Sequence, residues 1–564
     1  MKTITLMKTI INVGQKPIME GSTAAKRIVF TLLALSIIEL HVYTQDVNII
    51  PFPNYVVEKE GVYSINKKTK IACNHSNDTV LKTANLLASE IKRQTGYTLA
   101  ITSPTTKTSN SIEFKIQAID SLGKEGYILN VLPNHVEIIA CTQTGLFYGM
   151  QSLIQILPWA IEPLNKLTVK CVEIVDMPRF SYRGMLLDCS RHFFSTEFIK
   201  KLLDNLALHK INTFHWHLTD DQGWRIEIKQ FPELITRAAY RNETLVGAYS
   251  KGKPQKFDGK RYGGYYTQEA IKEIVKYAGE RFITIIPEIE LPGHSQAAIA
   301  AYPWLGSTDE STEVATSWGI KPYLYNPFDT TFYFLEKVLS EVFELFPGEY
   351  VHIGGDEAIK DQWIANPKIQ ERIQELGLKD ENELQSWFIR QIQKFAQSYG
   401  KKIIGWDEIT EGGAPKDAAI MYWRSKNKSA LEEAVKGNHP VIVTPYEYCY
   451  FNSPQDTAST EPVAWGKVLS LEKAYSFEPI PSFCSKQQAK QIMGAQACLW
   501  SEYIATPEVA EYMLFPRLAA LAEVAWTNPE KKDFAEFSER LQALMNIYGI
   551  KKINYFKKKL PVYQ

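Results

Sequence analysis

Residues 350–357 read YVHIGGDE, and the rest of the chain is best read outward from them. Tyr350 to Gly354 is an apolar run of strand length. Such near-continuous runs suit strands buried on both faces, as in parallel sheets. Gly354 and Gly355 close the run, and two adjacent carboxylates follow, Asp356 and Glu357. Neighbouring residues in a regular strand point to opposite faces. Both carboxylates therefore face one site only beyond the pleat, and the two glycines permit such a bend.

Seven more runs of this type flank it: Tyr182–Cys189, Asn212–Leu218, Phe282–Ile289, Lys402–Trp406, Ala418–Trp423, Pro440–Thr444 and Gly494–Trp500. Helical stretches separate most of them. One starts at Thr267, an expected N-cap, with Glu269 in the first turn and Ile271, Ile274, Val275 and Ala278 on one face. Another spans Pro507 to Trp526. Eight such strands with intervening helices predict an α/β fold, a closed (β/α)8 TIM barrel over residues 176–527. Before it, residues 46–175 alternate short β-like runs (Ile112–Ile116, Tyr127–Val131, Val136–Cys141) with helical patches (Val80–Gln94, Thr144–Ile156). That pattern predicts a small α/β domain. Residues 528–564 form a Lys-rich, partly helical tail to which no function is assigned.

In a (β/α)8 barrel the active site lies at the C-terminal ends of the strands. Run by run, those ends deliver Arg191 and His192; Asp220 and Asp221; Glu288, Glu290 and His294; Asp356 and Glu357; Trp406, Asp407 and Glu408; Trp423 and Arg424; Tyr450 and Asn452; Trp500 and Glu502. Every strand end brings a charged or aromatic group to one rim. There is no serine nucleophile elbow, no Walker loop and no dinucleotide fingerprint. His215 and His217 could share a strand face as a metal pair, but the sequence offers no obvious third ligand, and they are read as structural histidines. Carboxylates, aromatics and an arginine remain, the equipment of glycoside hydrolysis.

Composition agrees. Lys+Arg and Asp+Glu number 63 each, so nothing favours nucleic acid or an anionic membrane as partner. The seven cysteines show no metal-type spacing and are read as buried thiols. At the N-terminus Lys26 and Arg27 precede the apolar run Ile28 to Ile38. This is signal-peptide grammar, too short for a comfortable membrane span. Residues 1–45 are therefore expected to be a signal peptide with an upstream extension, and the mature chain to begin near Gln45 and to be exported, periplasmic or extracellular.

Taken together, the segments YRGMLLDCSRHF, NTFHWHLTDDQGWRIEI, GGYYTQEAI, IPEIELPGH, YVHIGGDEA, GWDEI, YWR and ACLWSEY resemble the family-20 glycoside hydrolases, the β-N-acetylhexosaminidases. They span Tyr182 to about Trp526. Residues 46–175 resemble the small α/β domain that commonly precedes that catalytic barrel. The resemblance implies an exo-acting enzyme removing β-linked N-acetylhexosamine from the non-reducing end of an oligosaccharide or glycoconjugate. In that reading Glu357 is general acid, then general base. Asp356 holds the 2-acetamido nitrogen. Asp220 and His294 form a supporting pair. Tyr450 binds the acetamide oxygen. Arg191 and Glu502 bind sugar hydroxyls, Trp406, Trp423 and Trp500 wall the ring, and Trp465 stacks on the leaving sugar. Neither a metal nor an organic cofactor is required. Two departures stand out: the segment Glu288-Ile289-Glu290 has Glu where many relatives carry Asp, and Asn452 stands where many carry Asp, which leaves the preference at one end of the ring open.

Overall fold

The computed structural model describes residues 47–104, 109–308 and 310–557. The expected signal peptide lies outside them. Seven strands, β1 (Tyr55–Ile65), β2 (Lys70–Ala72), β3 (Ala100–Thr102), β4 (Ser111–Ile116), β5 (Tyr127–Val131), β6 (His135–Ala140) and β7 (Leu167–Asp176), form a mixed sheet in the order β1-β7-β5-β6-β4-β2-β3. Two helices accompany it, α1 (Asp78–Thr95) and α2 (Gln143–Ile156). The Asn77 side chain caps α1 by accepting from Val80 N, and Gly96 ends it in the left-handed conformation. Residues 145–155 of α2 are buried without a break. The helix touches the sheet through Gly149, where a Cβ would come within 2.5 Å of Ile138. It reaches the barrel through Phe147 against Phe282 (5.2 Å) and Tyr148 against Trp526 (5.2 Å).

The barrel strands are β8 (Tyr182–Asp188), β9 (Thr213–His217), β10 (Thr284–Leu291), β11 (Tyr350–Gly354), β12 (Lys402–Trp406), β13 (Ala419–Tyr422), β14 (Val441–Val443) and β15 (Ile492–Leu499). All pair in parallel, and β15 closes the ring against β8, from Gly494 opposite Tyr182 to Leu499 opposite Leu187. The ends fall within one or two residues of the runs read from the sequence. The helix Gln268–Gly279 starts as expected, with Thr267 accepting from Ala270 N.

The stretch read as one helix from Pro507 to Trp526 is two, Pro507–Leu514 and Arg517–Trp526. Pro516 lacks an N–H and pushes Phe515 out of the helical region, so the break is intrinsic. The tail holds a helix, Phe534–Ile550, that buries Phe537, Leu541, Leu544, Ile547 and Tyr548. All seven cysteines are free thiols, five of them buried. Among the described residues no helix is long and apolar enough to cross a membrane.

One apolar core runs from the N-terminal sheet through α2 into the barrel wall. Polar pairs cross the same boundary. Lys210 Nζ is held by Asp176 Oδ2 (3.0 Å) and Tyr127 OH (2.9 Å), and Arg183 pairs with Glu125 (2.8 Å).

Candidate active site

The end of β11 departs from the pleat as the double glycine foretold. Gly354 (φ +64°), Gly355 (φ +96°) and Glu357 (φ +48°) are all left-handed. A Cβ on Gly354 would fall 1.7 Å from Glu290 Oε2, and one on Gly355 would fall 2.4 Å from Ile409. No other residue type fits either place without displacing its neighbours. Glu357 carries a Cβ in this region at a cost of about 1–3 kcal/mol, the kind of strain that persists where surrounding structure imposes it. His294, after β10, is left-handed too (φ +49°).

These two strained residues face each other. His294 Nε2 lies 3.5 Å from Asp356 Oδ2 and 3.6 Å from Glu357 Oε2. On its other side Nδ1 is 3.2 Å from both Asp220 Oδ1 and Asp221 Oδ2. Burial opposes a charge on this imidazole, but Asp220 and Asp356 outweigh it and hold its pKa well above the usual histidine range. His294 is thus a buried cation joining two carboxylate pairs. Asp220 also receives Arg191, whose Nη2 sits 2.7 Å from Oδ2. Gln222 (2.9 Å) and Asp188 (3.3 Å) complete the cradle of that guanidinium, which lies 5.3 Å from the Trp500 ring centre. Glu502 adjoins Arg191, and its pKa is pushed up to about 7 by burial, with Arg191 pulling the other way.

Aromatic side chains wall the opposite side. Trp423 stacks on Tyr450 (6.0 Å, 14°), and Trp500 packs against both Trp406 (5.8 Å) and Tyr450 (6.1 Å). Two of the three indoles of the wall are pinned by carboxylates: Trp406 Nε1 donates to Glu288 (2.8 Å) and Trp423 Nε1 to Glu408 (3.0 Å). The carboxyls driven well above their ordinary range are Glu290 and Glu408. Burial is the main cause, and neighbouring carboxylates, Asp356 among them, add to it. Several buried polar atoms of the site lack a partner within the protein: Asp356 Oδ1, Asn452 Oδ1, Trp500 Nε1 and Glu502 Oε2. Buried polar groups are otherwise nearly always paired, so these atoms are equipped to meet a polar ligand.

The geometry therefore gathers Asp220, His294, Asp356 and Glu357 into one chain and ties Arg191 to it. Trp406, Trp423, Tyr450 and Trp500 form the wall. Trp465 stands apart, in a cluster with Tyr503 (5.4 Å) and Tyr249 (6.2 Å). Asn452 is buried, with its Oδ1 unpartnered within the protein.

Beneath lies a layer in which sequence reasoning named His215, His217, Glu288 and Glu290 but missed Asp188 and the pairing. His217 lies among four carboxylates, 3.2 Å from Asp188 and Glu290, 3.5 Å from Asp220 and 3.9 Å from Glu288. Asp188 was hidden inside an apolar run. The third partner that His215 lacked in the sequence comes from other strands: Glu288 lies 3.1 Å away, and His352 is 2.7 Å from Glu288. These three could share an ion by distance alone. Glu288 is already engaged by His352 and by the Trp406 indole, however, so the cluster acts as a buried polar group that fixes an indole. Alternation was the available signal, since residues 215, 217, 288 and 290 all point into the barrel.

The chain is similar to known proteins over both the small domain and the barrel. Residues 180–529 match the model of the glycosyl hydrolase family 20 catalytic domain, and residues 46–177 match that of family 20, domain 2. A β-hexosaminidase of Porphyromonas gingivalis is 42% identical over 92% of this chain, which spans 65% of that relative's length. One from Vibrio furnissii is 36% identical, covering 84% of this chain and 76% of the relative. The crystal structure of an exo β-N-acetylglucosaminidase from Vibrio harveyi, in complex with N-acetylglucosamine, superposes with a TM-score of 0.80 at 35% identity, covering 91% of this chain and 78% of that one.

Proposed function

This chain belongs to glycosyl hydrolase family 20, and from that premise we propose that it is an exo-acting β-N-acetylhexosaminidase, releasing terminal β-linked GlcNAc or GalNAc with net retention. The observation that carries the reading is the Asp356–Glu357 pair, turned out of its strand onto one cationic histidine and enclosed by an aromatic wall. Families that use the substrate's own acetamide depart from the usual scheme of two catalytic carboxylates. Here the acetamide oxygen attacks the anomeric carbon while Glu357 gives its proton to the departing glycosidic oxygen. Asp356 takes the acetamide N–H and balances the positive charge of the cyclic oxazolinium. Water then opens that ring at the anomeric carbon, losing its proton to Glu357. A nucleophile already attached to the ring needs only to be held in place, and such intramolecular geometry lowers the barrier by several kcal/mol. Trp406, Trp423 and Tyr450 supply that restraint.

The test compares aryl β-GlcNAc with aryl β-glucoside, then challenges the enzyme with a thiazoline mimic of the cyclic intermediate and with a fluorosugar. The glucoside should be essentially inert and the thiazoline a strong inhibitor. Equal rates on both sugars, or a fluorosugar ester on Asp356, would show that the protein uses a nucleophile of its own.

The same reading extends to export. Lys26-Arg27 followed by Ile28–Ile38 supports a cleaved signal, giving a mature chain that starts near Gln45. N-terminal sequencing of protein from outside the cytoplasm checks this, and intact residues 20–40 on soluble cytoplasmic protein would overturn it.

A further inference from the structure

The segment Ser250–Arg261 reads SKGKPQKFDGKR. It carries Lys251, Lys253, Lys256, Lys260 and Arg261 against a single acid, Asp258, in a chain whose formal net charge is zero. It forms a hairpin whose short strands pair Leu245 with Phe257 and Val246 with Lys256. All five cations are exposed. No ion-pair partner for any of them is found among the described residues. Asp258 is within ion-pair distance of none of them; its Oδ1 accepts from the backbone N–H groups of Thr244 (2.9 Å) and Lys260 (3.0 Å), and five cations face one acid.

The hairpin is fastened to the mouth of the active site. Tyr249 N donates to Tyr503 OH (2.9 Å), one residue from Glu502, and the Tyr249 ring joins Trp465 in the outer aromatic cluster. At its base Arg241 Nη1 donates to Arg191 O (2.8 Å), and Phe193 N donates to Tyr262 OH (2.8 Å). The charged segment is thereby tied at both ends to residues beside Arg191, Glu502 and Trp465. Uncompensated exposed charge next to a site attracts ligands of opposite sign and orients them.

We infer that this hairpin binds anionic groups on the part of the substrate beyond the terminal sugar, so that the enzyme favours glycans bearing carboxylate or sulfate groups. The inference rests on the hexosaminidase reading above. Its test combines the variant Lys251→Gln/Lys253→Gln/Lys256→Gln/Lys260→Gln with three probes: neutral chitobiose, a GlcNAc-terminated hyaluronan trisaccharide whose second sugar is a uronate, and an aryl β-GlcNAc sulfated on its own 6-hydroxyl. Wild-type kcat/KM on the trisaccharide should fall about 5- to 10-fold in the variant, and by a similar factor in wild type on raising salt from about 20 to 300 mM. Chitobiose and the 6-sulfate should change less than about twofold. Loss confined to the 6-sulfate would place the anion on the terminal sugar and overturn the inference. So would equal changes on all probes, or an unchanged trisaccharide rate with loss of binding to anionic vesicles. Failure of the wild type to cleave even chitobiose would instead sink the hexosaminidase reading.

Discussion

Glu357 sits on a backbone that favours glycine, so its position is imposed by its surroundings. Replacing it with Gln keeps that backbone and removes the proton. Turnover of chitobiose should fall about 10²–10⁴-fold, the usual worth of general acid catalysis. Activated aryl substrates should lose less in the bond-breaking step, because their leaving groups need little protonation. Steady-state kinetics on both substrates checks this. Asp220 tests the chain behind it. It is the carboxylate that does most to keep His294 charged, and it also holds Arg191. In Asp220→Asn the imidazolium should lose its proton at lower pH, and the alkaline limb of kcat/KM should shift to the acid side. The KM should rise as Arg191 loosens. Titration of the His294 ring by NMR separates the first effect from the second. At this scale the sequence was legible wherever a polar residue followed an apolar run. Asp188 and the partners of His217 and His215 were not, because these residues sit within the runs and pair with strands up to 73 residues away.

The strands themselves were the most legible elements. A strand covered on both faces is mostly apolar along its length, and the barrel strands end within one or two residues of the apolar runs. The closing helices were less legible, since Pro516 interrupts an otherwise continuous apolar pattern. The turn after β11 is the element on which most depends. Gly354→Ala forces a Cβ into a left-handed residue and against the Glu290 carboxylate. The expected cost is about 2–4 kcal/mol, combining backbone strain with overpacking. Adding Glu290→Asp withdraws the obstructing carboxylate and should restore part of the loss, but not the part due to φ. Denaturant unfolding of the two single variants and the double variant measures the coupling.

For the whole molecule, the sequence suggested a small domain placed before a barrel, whereas the structure gives both a common core. Patterning shows which face of α2 is apolar, but a helix buried all round has no polar face to mark its two partners. The tail belongs to the same body. His209 Nδ1 donates to Asn205 O (2.6 Å), and Nε2 accepts from Tyr548 OH (2.5 Å) on the C-terminal helix. This is a neutral ring, and burial pushes its pKa down to about 4. The unfolded chain binds that proton near pH 6.5, so the stabilisation is complete above that pH. It is lost as pH falls from about 6.5 towards 4, by roughly 3 kcal/mol. Thermal unfolding midpoints should drop over this range. His209→Gln, which cannot take the proton, should be less stable at neutral pH and show a shallower acid decline.

Ring closure has a consequence for synthesis. His192 N donates to Ser501 Oγ across 309 positions of sequence, and Ser501 N donates to Asp188 Oδ2, so Arg191 and Glu502 become neighbours only when β15 docks on β8. A nascent chain halted between β11 and β15 holds Asp356 and Glu357 but only one half of its sugar grip. Ribosome-stalled or prematurely terminated chains should therefore be silent towards substrate, and activity should appear in a single step once the last strand is free of the exit tunnel. A timed translation reaction sampled with a fluorogenic GlcNAc glycoside would show that step as a lag equal to the time needed to bring β15 out of the tunnel.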